Sequence, residues 1–112
     1  MMENICNKSD FIITVSLVDK DGIVIPYSEI DWEIWYYTNI NFPYKVTHKN
    51  GVLSSNAEIV DNNVVIYVNG HDWGVKGSVY RRAFCSFPDA HFIDGKADIC
   101  SEPQAVTTFK II

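Results

Sequence analysis

The chain has 112 residues, 47% hydrophobic and 13% aromatic, with three cysteines and a formal net charge of −5. That length suits one domain able to bury roughly two-thirds of its extended-chain surface without a metal or disulfide staple, and the apolar share argues against disorder. The acidic balance argues against nucleic acid as a partner, because the nine Lys and Arg residues form no run longer than Arg81-Arg82, and no apolar run approaches the ~20 residues of a membrane span.

The first residues, "MMENICNKSDF", lack a basic segment followed by an apolar stretch, so no secretory signal is expected, and residues 1–9 are expected to form a flexible segment ahead of a single domain at 10–112. "DFIITVSLV" sets Phe11, Ile13, Val15 and Leu17 against Thr14 and Ser16, the two-residue period of a half-buried strand. "DKDG" then turns the chain. It resembles the start of a calcium loop only superficially, since the later glutamate ligand is missing. "IVIPY" reads as a short extended piece at a sheet edge, limited by Pro26.

The next strand, "EIDWEIWYYTN", alternates Ile30, Trp32, Ile34 and Tyr36 with Asp31, Glu33, Trp35 and Tyr37. The first set is expected in the core. The second shares a face with carboxylates, and Asp31, Glu33, Trp35 and Tyr37 are the candidates for contact with a partner or ligand. "YKVTHK" and Asn50-Gly51 predict a hairpin returning through "AEIV", and "VVIYV" reads as a central strand covered on both sides. "NGHDWGVKG" is expected to be a loop with one helical turn around residues 71–74. "SVYRRAFCSF" is expected to be a long strand, "PDAHFIDGKAD" a loop and "AVTTFKII" the closing strand. Seven or eight short strands with regular turn signals predict an all-β fold, an antiparallel two-sheet β-sandwich of immunoglobulin-like type.

His48, His71 and His91 fall in separate segments, and no Cys or His pair has the close spacing of a zinc site, so no catalytic residue, cofactor or metal is expected. Cys6, Cys85 and Cys100 read as free thiols, with a Cys85–Cys100 bridge as the alternative. Arg81 and Arg82 alternate in direction, and one is expected to pair with Glu33 or Asp31. Trp35 and Tyr37 beside Asp31 and Glu33 fit two uses: docking another protein, or stacking a sugar whose hydroxyls the carboxylates bind.

The opening strand and turn "DF-x-x-x-V-x-L-x-D-x-D-G", the acidic and aromatic strand after it, and the segment ending "F-P-D-x-x-F-x-D-G" resemble small β-sandwich domains of phages and prophages of Bacteroides-type gut bacteria. These are similar to the N-terminal domain of phage baseplate upper proteins, and the resemblance runs from Asp10 to Ile112. It implies a non-enzymatic tail or baseplate module that contacts other virion subunits or copies of itself. Such a module would be made in the bacterial cytoplasm and carried into the virion. Carbohydrate binding through the aromatic strand is the alternative.

Overall fold

Segments with a two-residue apolar period become strands in the computed structural model, which describes residues 2–112. Among these residues, ten strands follow one another as β1 (Glu3–Ile5), β2 (Phe11–Val15), β3 (Asp31–Tyr37), β4 (Tyr44–Lys49), β5 (Val52–Leu53), β6 (Ala57–Val60), β7 (Asn63–Val68), β8 (Gly77–Pro88), β9 (Lys96–Cys100) and β10 (Gln104–Ile111). A single 3-10 turn, Gly70–Asp72, lies between β7 and β8. The strands make two sheets in a sandwich-like all-β body. The larger sheet curls and has the order β1-β10-β8-β3-β4-β5, with β9 also on β8, while the smaller has the order β2-β7-β6. β8 serves two neighbours on one edge, pairing β10 within Gly77–Arg81 and β9 within Phe84–Pro88.

Alternation decides what lies between the sheets. Ile13 and Val15 of β2 and Val64, Ile66 and Val68 of β7 face Trp32, Ile34 and Tyr36 of β3, joined by Val46, Val79, Phe109 and Ile111. The polar atoms taken into this core are satisfied. Trp32 Nε1 donates to the Tyr27 carbonyl at 2.9 Å, the Tyr27 hydroxyl accepts the Leu17 N–H, and buried His48 donates through Nδ1 to the Ile30 carbonyl at 2.7 Å while stacking on Trp32. These bonds tie the β2–β3 connection to the core. Glycine is required for two different reasons, backbone conformation at Gly51 and close approach at Gly70. Gly51 takes φ +78° in the β4–β5 turn, and a Cβ on Gly70 would lie 2.3 Å from the Lys8 backbone.

Several expectations change. "AEIV" is not the return strand of the Asn50-Gly51 hairpin: β5 is, and β6 crosses to the smaller sheet to pair with β7. A two-residue strand is too short to leave a periodic signal. "VVIYV" is central but covered on one face only, since Tyr67 is 45% exposed. Residues 2–9 of the segment expected to be flexible contain β1, which pairs in parallel with β10, while Met1 lies outside the described residues. The loop expected after Pro88 ends in β9, because β8 outruns its other neighbour and leaves ladder positions open at its upper end. Pro26 opens a turn, its carbonyl accepting the N–H of Glu29 at 2.9 Å.

Candidate functional site

The outer face of the larger sheet is built by register. Across β3, the residues Asp31, Glu33, Trp35 and Tyr37 lie opposite Ser86, Phe84, Arg82 and Tyr80 of β8, and on the other side Trp35 lies opposite Lys45 of β4. Directly paired residues share a face, so the structure brings all four sequence candidates together and adds a cation and an aromatic row that the sequence did not single out.

The row has a defined order. Lys45 Nζ sits 4.5 Å from the centre of the Trp35 ring, Trp35 and Phe84 are 4.9 Å apart between centroids at 49°, and the Arg82 guanidinium lies 5.0 Å from the Phe84 ring. Each end of the aromatic pair is thus held by a cation over a ring face. Trp35 is partly buried, and its indole N–H is shielded from solvent with no acceptor among the described residues. Tyr37 differs from its expected exposure: it is 6% exposed, stacked on Tyr80 at 6.1 Å, and presents little surface of its own. Tyr80, 40% exposed, takes that place.

Above the row, Asp31, Glu33, Lys49, Phe84, Ser86 and Asp98 border a shallow hollow of about 360 Å³. Its carboxylates are engaged. Asp31 accepts the Asn50 N–H at 3.0 Å and lies 3.7 Å from Lys96 Nζ, so one side chain pins both the β4–β5 turn and the start of β9. Glu33 lies 4.0 Å from Lys49 Nζ, and Asp98 accepts from Ser86 Oγ at 2.6 Å. The carboxylates of β3 therefore pair with lysines, not with either arginine. Arg82 Nε instead donates to the Ser101 carbonyl, and Arg81 Nη2 donates to Gln104 Oε1, each at 3.2 Å.

Cys85 lies opposite Ile99 and Cys100 opposite Phe84, which sends the two thiols to opposite faces of the sheet. The bridge weighed from sequence is absent, and Cys6, Cys85 and Cys100 are free. Burial pushes the Cys85 thiol above its ordinary value. The three histidines also stay apart: His48 is in the core, while His71 and His91 pair with neighbouring Asp72 and Asp89 at 3.3 and 2.7 Å. Among the described residues, no group of three or more His, Cys, Asp or Glu is placed to hold a metal ion.

Sequence reasoning missed Lys45 and Phe84, and brought an arginine to this face with the wrong partner, because these residues come from strands remote in sequence. Only the β3–β4 and β3–β8 registers bring them beside Trp35. No protein-family model, curated protein or solved structure matches the chain.

Proposed function

We propose that the protein is a non-enzymatic structural or assembly module of a phage tail or baseplate, docking other virion subunits or copies of itself through the outer face of β3 and β8. The observation that carries this reading is the row Lys45, Trp35, Phe84, Arg82, which sets two large rings and two cations side by side on the outer face of the larger sheet. Aromatic residues and arginine are enriched at the centres of protein interfaces and supply much of their binding energy. The shielded indole N–H adds to this, because an acceptor brought by a partner would satisfy a group that has none among the described residues.

An immunoglobulin-like classification accompanies the reading. Taking β2 to β8 as strands B, C, C′, C″, D, E and F, and β10 as G, the larger sheet acquires the GFCC′C″ set of a variable-type domain and the smaller sheet the set BED. The β8–β9 connection then lies among the loops that such domains use for binding, and it exposes Phe92 and Ile93. The sugar-binding alternative is weaker, since Lys45 already occupies one face of the Trp35 ring and the nearby carboxylates are paired.

The test is co-expression with the proteins encoded by neighbouring genes, followed by size-exclusion chromatography with light scattering. The expected result is a complex or multimer that Trp35→Ala and Phe84→Ala dissociate while the variants stay folded. A monomer that joins no neighbour, yet binds glycans and loses them in Trp35→Ala, would establish the alternative instead.

A further inference from the structure

The smaller sheet ends at β2, and across from that edge runs β10 of the larger sheet. Between them lies a groove, with a second hollow beside the start of β2. The groove, of about 280 Å³, has Ile13–Ser16 on one wall and Gln104–Phe109 on the other, with Tyr36 and Arg81 between them. The second hollow, of about 590 Å³, lies beside Asp10, Phe11 and Ile12 and is bordered by Glu3 and Ile5 of β1 and by Tyr67, Val68 and Asn69 rather than by β10. Together they follow the whole of β2.

Among the described residues, both walls are strand edges without a strand partner. There β2 pairs only with β7, and β1 covers β10 only at Phe109–Ile111. The β8 ladder skips from Ala105 to Lys110, and among the described residues no turn bond reaches the backbone of Phe11–Val15 or Gln104–Thr108. Other edges carry the features that discourage pairing: β5 has two residues, β6 carries Glu58, and β9 carries Lys96 and Asp98. The strand segments "FIITV" and "QAVTT" contain neither a charge nor a proline, and the charged groups of the lining, Glu3, Asp10 and Arg81, lie outside them. In the immunoglobulin-like order this is the place of a first strand beside B, which the smaller sheet lacks because β1 lies on β10.

We propose that this groove accepts an extended segment of another polypeptide chain, added as a strand between β2 and β10. A ligand able to satisfy two facing backbone edges is itself a backbone, and the buried side chains of Ile13, Val15 and Phe109 call for apolar residues at alternate positions of the segment. β1 sets the direction. It runs parallel to β10 with Glu3 opposite Phe109, so a segment continuing the line of β1 along β10 runs in the same direction as β10. The groove is separate from the aromatic face and does not depend on what that face docks against.

The test fuses Thr-Val-Thr-Val-Thr-Val ahead of the N-terminus of the full chain, where a short tether gives a high effective concentration, with Thr-Pro-Thr-Pro-Thr-Pro as the control. The same Thr-Val peptide is also added at millimolar concentration to the unfused chain. The expected result is a monomer whose amides at Phe11–Val15 and Gln104–Thr108 exchange about tenfold more slowly than in the proline control. The free peptide shifts the same amides in trans. Equal exchange in both fusions, slowing confined to β5, β6 or β9, dimerisation, or no shift in trans would each overturn the assignment to a partner chain.

Discussion

β3 carries one tryptophan on each face, and the two are finished differently. Trp32, 1% exposed, packs against Tyr27 and His48 and gives its indole N–H to the Tyr27 carbonyl. Trp35, three residues on, packs between a lysine and a phenylalanine and gives its N–H to nothing among the described residues. The same side chain on the same strand is closed into a network on one face and left incomplete on the other. Burying an indole requires an acceptor for its N–H, and the inner face supplies one from its own chain. The outer face supplies none among the described residues.

Substitution at Trp32 is the severest way to challenge this contrast. Trp32→Ala should cost ~3–5 kcal/mol, the range for emptying a large aromatic from a packed core. A loss of that size can leave too little folded protein to measure, so Trp32→Phe is the graded version. It keeps a ring in place but strips the Tyr27 carbonyl of its donor, and should cost ~1–3 kcal/mol in urea denaturation. A Trp32→Phe chain as stable as the parent would mean that the inner network contributes nothing, and the contrast would fail.

The inner face should also declare itself at alkaline pH. Burial holds the Cys85 thiol above its ordinary 9.0 and, despite the Arg81 hydrogen bond, the Tyr36 hydroxyl above 10.0. Both groups belong to the inner side, Cys85 opposite Trp32 and Tyr36 in the core. In the unfolded chain each loses its proton at the lower, ordinary value. The stability each contributes is therefore complete below that value and is lost as pH rises through the folded one. Urea midpoints should fall from about pH 9 upward, and Cys85→Ala should remove the earlier part of the fall while leaving the part due to Tyr36. An unchanged profile in Cys85→Ala would place the thiol outside the buried face.

The division between these faces was legible in the sequence, since the period of two in "EIDWEIWYYTN" separates Trp32, Ile34 and Tyr36 from Asp31, Glu33 and Trp35 without any tertiary information. Most strands and the all-β class were legible for the same reason. Burial on the outer face was not. Tyr37 has the parity of a surface residue, yet Tyr80 stacks beside it from a strand 43 positions away in the chain, and parity says nothing about what a neighbouring strand lays alongside. The routing of β6 and the existence of β1 and β9 were hidden likewise. Their segments, "AEIV", "ENI" and "KADIC", are too short or too polar to show a period, and pairing with a longer neighbour makes them strands.

Trp35→Phe gives the smallest and sharpest effect, because the contrast predicts a different outcome for the substitution already made at Trp32. The smaller ring gives up roughly 1 kcal/mol of apolar contact. Removing an indole N–H that is shielded and unpaired returns about as much, since such a group forfeits water without gaining a partner. The isolated protein should therefore stay within about 0.5 kcal/mol of the parent. Binding is where the loss should appear: if a docking subunit supplies the missing acceptor, the affinity of Trp35→Phe should fall about fivefold or more, close to 1 kcal/mol. Measured together, an unfolding midpoint that holds and an affinity that drops separate a side chain kept for a partner from one kept for the fold. A Trp35→Phe chain destabilised as much as Trp32→Phe, with binding unchanged, would make both faces of β3 parts of one core.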